Sequence, residues 1–171
     1  MKNFTILITS PFDREKLVAE IWYNKDLLAE INQERGFLEI VFYHGSPEYI
    51  NLPMDEFMII LQKAEIHLLG NEEQYMKMFQ QNKTIIRSTS EAYIEKCRIS
   101  IVRPLREENS VIAKILYNEK LLAEVKQING LLEVLFFYNN SNIELPIESL
   151  VYLLQKTKKL FVDCRGKYSR K

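Results

Sequence analysis

AEIWYNKDLLAEINQERGFLEIVF, residues 19–42, recurs as AKILYNEKLLAEVKQINGLLEVLF at 113–136 without a gap. Thirteen of the 24 aligned positions are identical. The match spreads outward with one-residue shifts. Ile6 and Ile8 pair with Ile99 and Ile101, and NLPMDEFMIILQKA (51–64) pairs with ELPIESLVYLLQKT (144–157). Self-similarity at a fixed offset is the signature of a repeated structural unit, so the chain reads as a tandem duplication.

Side-chain alternation inside the repeated stretch has the period of a strand, two residues. Strands are expected near 4–9, 17–23, 27–33 and 37–43, and again near 97–102, 111–117, 121–127 and 131–137. Tyr23-Asn24-Lys25-Asp26 and Tyr117-Asn118-Glu119-Lys120 fall between strands, where Asn tolerates left-handed geometry. Gly36 and Gly130 mark the next turns. Turns this short join antiparallel neighbours. A helix closes each copy. Pro53 and Pro146 suit a first helical turn, Asp55, Glu56 and Glu148 complement its positive end, and Met54, Phe57, Met58, Leu61, Ala64 and Leu68 form an apolar stripe.

The expected fold class is α+β: two tandem copies of an antiparallel β-meander of about four strands, each followed by a helix, related by a pseudo-twofold axis and joined by a helical linker. The first copy covers 1–69, the linker 70–96 with a helix near 71–81, the second copy 97–161, and a basic tail 162–171. Strict alternation places Ala19, Ile21, Tyr23, Leu27, Ala29, Ile31, Leu38, Ile40 and Phe42 toward the helix. It leaves Glu20, Trp22, Leu28, Glu30, Asn32, Glu39, Val41 and Tyr43 on the outward face. Trp22, Val41 and Tyr43 are too apolar a group for indifferent exposure. Either the outer faces of the two copies pack together, or one is a docking surface.

Apolar residues make up 47% of the 171, enough for a core, and no stretch approaches the ~18 consecutive apolar residues of a membrane span. The first residues lack a signal-peptide cleavage pattern, so a cytoplasmic location is expected, with Cys97 and Cys164 as reduced thiols. Net charge is zero but unevenly spread. Residues 1–69 hold six Lys/Arg against eleven Asp/Glu, while 162–171 hold four against one. The acidic half suits a basic partner. The tail reads as a solubilising end.

Chemistry-bearing patterns are sparse. His44 and His67 stand alone, without metal-ligand spacing, and neither GxGxxG nor GxxxxGK[ST] occurs. Glu30 and Glu39 recur as Glu124 and Glu133, on one face of neighbouring strands. Paired carboxylates can perform acid–base work, but recurrence in both copies favours a structural or electrostatic role. The expectation is a protein without catalytic residues, metal or cofactor.

AEIWYNKDLLAEINQERGFLEIVFYHG followed by NLPMDEFMIILQKAE resembles the immunity proteins of bacterial contact-dependent growth inhibition. The shared pattern is a strand, a Tyr-Asn turn, LAEI, a glycine turn, an apolar strand, then an LP-acidic opening to a helix. The resemblance implies a small cytoplasmic protein that binds one cognate toxin domain, usually a nuclease, and blocks its active site. It carries no residue roles over. A nuclease cleft is basic because it binds phosphate, and an acidic surface would be steered to it. Candidate contacts are Asp13 and Glu15 after the first strand, Glu48 and Tyr49 before the first helix, and Glu20, Trp22, Glu30 and Glu39 on the sheet. The expected partner is thus a protein, with no direct nucleic-acid or membrane binding, and the expected state is a monomer. The alternative is an adaptor or chaperone without toxin specificity.

Overall fold

The structure, a computed structural model, describes residues 3–43, 49–70, 77, 89–102, 111–137 and 143–168. The side chains of Tyr49, Ile143 and 164–168 lie outside this description, as do Glu48, His44 and, but for a helical Lys77, the helix expected near 71–81. The elements in order are β1 (Phe4–Thr9), β2 (Val18–Tyr23), β3 (Asp26–Asn32), β4 (Glu39–Phe42), β5 (Tyr49–Pro53), α1 (Met54–Leu69), β6 (Cys97–Val102), β7 (Ile112–Tyr117), β8 (Lys120–Ile128), β9 (Leu131–Phe137), β10 (Ile143–Pro146) and α2 (Ile147–Tyr168). Residues 89–94 are helical as well. The class is α+β with two antiparallel sheets.

Local geometry follows the turn residues. Asn24 takes φ 59° and Asn118 φ 49°, the left-handed conformation that a tight hairpin needs. Gly36 and Gly130, at φ 81° and 86°, turn β3 toward β4 and β8 toward β9. β1 to β4 pair in sequence order, and so do β6 to β9.

Alternation breaks once in each meander. Ile21 faces Ala29 but Trp22 faces Leu27, so Leu28 is an extra residue on β3. The same shift separates Ile115 and Leu116, and there Leu122 is the extra residue. A bulge of this kind turns the unpaired side chain out of the ordinary alternation. Leu28 is consequently 1% exposed and joins the core, not the outward face where strict alternation puts it. Leu122 does the same at 2%.

Each sheet also has a fifth strand. β5, which precedes α1, pairs with β9, and β10, which precedes α2, pairs with β4. The sheet orders are therefore β1-β2-β3-β4-β10 and β5-β9-β8-β7-β6. Pro53 and Pro146 end these strands instead of opening the helices' first turns. Proline has no N–H for the ladder and is tolerated at a strand's end. Each meander thus takes an edge strand from the other stretch of chain.

The sheets meet through their inner faces. Phe42 of β4 and Phe136 of β9 stack with ring centroids 4.6 Å apart, and Phe57 of α1 meets Phe136 edge-on at 5.5 Å. Phe4 and Phe42 each lie 6.3 Å from Phe57. Aromatic pairs in these arrangements contribute ~0.5–1.5 kcal/mol each beyond burial. Met54, Phe57, Leu61, Ala64 and Leu68 of the predicted stripe are buried in the same continuous cluster, which includes residues of both sheets and both helices. Of the two alternatives for the outer faces, their packing on each other is overturned. Burying both inner faces against shared helices removes more apolar area than mating two partly charged outer ones.

Candidate functional site

The outward face of the first sheet is covered by its own chain. After β1 the loop 10–17 folds back across β2, β3 and β4. Its backbone turns where the Arg14 amide donates to the Pro11 carbonyl at 3.2 Å. The Lys16 amide donates to Glu34 Oε1 at 3.1 Å, and Lys16 Nζ to the Gln33 carbonyl at 3.1 Å. Arg14 reaches under the loop. Its Nη2 lies 2.9 Å from Glu30 Oε1, near enough for charge attraction although not aligned as a hydrogen bond. Val18, Phe37 and Val41 are buried here, outside the main core cluster.

Each carboxylate on this face has a local partner. Thr9 Oγ1 and the Trp22 indole Nε1 donate to the two oxygens of Glu20 at 3.1 and 2.9 Å. The Tyr43 hydroxyl donates to Glu30 Oε2 at 3.0 Å. Arg35 donates to Glu39 at 3.0 Å and to Glu144 of β10 at 3.1 Å, pinning the exchanged strand to β4. Burial pushes the Glu39 carboxyl above its ordinary range, and Arg35 partly offsets this. Burial and Glu30 together raise the Tyr43 phenol. For Arg14 burial alone would weaken the cation, but Glu30 and Tyr43 outweigh it and raise its pKa.

This arrangement divides the residues expected to touch a partner. Glu30 and Glu39 are 5% and 3% exposed and already neutralised. Glu20 and Trp22 are half-buried and bonded to each other. These four form one connected surface, but as a support. Asp13 and Glu15 remain exposed on the loop above it. Glu48 lies outside the described residues, and Tyr49 is placed only as the first residue of β5.

The residue that alternation and charge counting do not single out is Phe12. It is 103% exposed, at the tip of the pinned loop, with exposed Asp13 and Glu15 following and Leu17 at 48%. The signal for it in sequence is a lone aromatic after Pro11 in an otherwise charged loop. A large apolar side chain fully in water on an anchored backbone loses little further entropy on docking. Aromatic anchors ringed by charge are the usual composition of an interface centre.

The corresponding face of the second sheet carries polar pairs of its own. Lys114 and Glu124 pair across β7 and β8 at 3.4 Å, and Asn51 of β5 donates to Glu133. Residues 103–110, between β6 and β7, lie outside the described residues. Among the described residues no three or more His, Cys, Asp or Glu side chains are placed to hold a metal. Cys97 is a free thiol, and burial raises its pKa to about 11, which keeps it protonated and unreactive at neutral pH. No described helix is long and apolar enough to cross a membrane.

The chain matches no protein-family model, and no significant similarity to a curated protein or to a solved structure was found.

Proposed function

We propose that this protein is a cytoplasmic immunity protein that binds a cognate toxin domain of contact-dependent growth inhibition and blocks its active site stoichiometrically, without catalysing a reaction. In this reading the chain is a tandem duplication whose two copies, related by a pseudo-twofold axis, exchange their pre-helix strands. The observation that carries it is the pinned loop 10–17, which presents Phe12 beside Asp13 and Glu15 above an internally neutralised sheet face. Phe12 would enter an apolar recess of the toxin, and the two carboxylates would meet the basic rim of a phosphate-binding cleft. Resemblance of the repeated segment to the immunity proteins supplies the toxin class.

The test is binding of the full chain to the toxin domain encoded beside its gene, measured by calorimetry, with inhibition of the toxin read in parallel. Micromolar or tighter one-to-one binding is expected. Phe12→Ala should weaken it by about 2 kcal/mol, the scale of an aromatic hot spot. Asp13→Lys with Glu15→Lys should slow association most at low salt. Absence of binding, or full affinity in Phe12→Ala, rejects the reading.

A second reading has its own support. β1 is the end strand of its sheet, it is the uncharged FTILIT, and its Leu7 and Ile8 are 45% and 39% exposed. Such an edge can accept a peptide strand, as an adaptor or chaperone would. Binding of many unrelated extended peptides, lost on Leu7→Lys, would favour it.

A further inference from the structure

β1 and β6 begin the two meanders and end the two sheets. Among the described residues each pairs on one side only, with β2 and with β7. The phase of both ladders is set at the strand starts. The Asn24 amide donates to the Asn3 carbonyl at 2.6 Å, and the Asn118 amide to the Lys96 carbonyl at 2.9 Å. Bonded and non-bonded pairs alternate along an antiparallel ladder. Thr5, Leu7 and Thr9 therefore turn their backbone groups toward β2, while Phe4, Ile6 and Ile8 turn theirs to the opposite side, past the end of the sheet. On β6 the same phase turns those of Cys97, Ile99 and Ile101 past the end of the second sheet.

The two edges differ in what guards them. A row of unpaired N–H and C=O groups is a template for another strand, and proteins ordinarily blunt it with charge. β6 carries Arg98, whose side chain is 66% exposed and lies 3.6 Å from Glu119, and then Ser100. The match of Ile6 and Ile8 with Ile99 and Ile101 places Thr5 and Leu7 at the corresponding positions of β1. FTILIT holds no charge, Thr5 is exposed, and Leu7 and Ile8 are 45% and 39% exposed. Ile101 and Val102 of β6 are exposed as well, at 37% each, so charge is what separates the two edges.

β1 is also complementary to itself. An antiparallel second copy centred on Ile6 sets Ile6 against Ile6, Phe4 against Ile8 and Thr5 against Leu7. The backbone groups that point past the sheet, at Phe4, Ile6 and Ile8, then meet one another as bonded pairs. Apolar side chains meet on the inner face, and Thr5 and Leu7 share the outer one. This is the isologous contact of a twofold dimer, which uses both β1 edges and closes. The same alignment of β1 with β6 of another copy would set Leu7 against Arg98 and leave an edge open on each chain.

We propose that the β1 edge binds a second copy of this chain, antiparallel about a twofold axis at Ile6, and joins the two five-stranded first sheets into one. A contact one strand long falls at the low end of specific interfaces, below ~1,200 Å², so dissociation on the order of 10 μM is expected. The loop 10–17 is anchored on Glu30, Gln33 and Glu34, across β2 from this edge. The dimer therefore stands apart from the toxin reading and is tested without any toxin.

Sedimentation of the full chain from about 1 μM to about 1 mM, with amide exchange followed by NMR over the same range, is the test. A monomer–dimer equilibrium is expected. The amides of Ile6 and Ile8 should gain protection as the dimer fills, and those of Ile99 and Ile101 should not change. Thr5→Arg puts the charge of β6 at the matched, exposed position of β1 and should weaken dimerisation about tenfold or more. Sedimentation as a monomer throughout overturns the proposal. So does a dimer whose Ile6 and Ile8 amides exchange as in the monomer, or one that Thr5→Arg leaves intact. Protection of those amides only on adding an extended peptide assigns the edge to a partner's strand and overturns it equally. The exchange measurement needs the wild type alone, so it decides the matter even if Thr5→Arg fails to fold.

Discussion

The two sheets carry glutamates at matched positions and use them oppositely. Glu30 and Glu39 of the first are buried beneath Arg14, Tyr43 and Arg35, and the loop 10–17 closes over the face. Glu124 of the second stays partly exposed, with Lys114 as its ion-pair partner. The same carboxylate is therefore buried beneath a loop on one sheet and part-exposed beside a lysine on the other. On the first sheet an arginine in the β1–β2 loop supplies the cation that makes burial tolerable. Identity at a position says that the backbone is shared. It does not say that the environment is.

The largest expected effect tests how far the two sheets are separable at all. Phe57 is 0% exposed and touches Phe4, Phe42 and Phe136, so Phe57→Ala should cost about 3–5 kcal/mol in denaturant unfolding. One cooperative transition is expected before and after, because the cluster spans both sheets. Two resolved transitions would show that the halves fold apart. The next test strikes the contrast directly. Arg14→Ala leaves Glu30 buried with Tyr43 alone and should cost about 2–3 kcal/mol, less than the ~3–5 kcal/mol of breaking a fully buried pair because Arg14 is 28% exposed. Arg14→Ala with Glu30→Gln should recover part of that loss. If the single variant is as stable as wild type, the covered face is not held by this pair.

A smaller effect checks where the sheets should agree. Gly36 and Gly130 have φ of 81° and 86°, and a Cβ at either would meet nothing within 4 Å. Alanine should therefore cost about 1 kcal/mol at each, from backbone conformation alone. Unequal losses would mean that the two turns differ in more than their surroundings. Smallest of all is Lys114→Ala. Its partner Glu124 is partly exposed, and the pair lies at 3.4 Å with Lys114 39% exposed, so a change within about 0.5 kcal/mol is expected. A loss matching that of Arg14→Ala would erase the distinction between the faces.

Much of the site was legible only as chemistry, not as placement. Asp13 and Glu15 read correctly as exposed loop charges because a short polar stretch between strands has nowhere else to go. Glu30 and Glu39 read correctly as members of one face, since alternation is a local property. Their burial was not legible, because it depends on where Arg14 and Arg35 fold back. Phe12 stayed hidden for a related reason: an aromatic residue in a sequence is ordinarily assigned to a core, and only coordinates show it outside one.

Alternation, turn residues and the internal match determined the eight meander strands, both long helices and the α+β class, because each depends on neighbours a few residues away. Only the structure decided the bulges that draw Leu28 and Leu122 inward and the exchange of β5 and β10 between sheets. The exchange depends on partners tens of residues distant, and the bulges on which side of a hairpin takes the extra residue. A strand's hydrogen-bonding groups are the same whichever edge they join, so which edge was joined is decided by what the whole core buries.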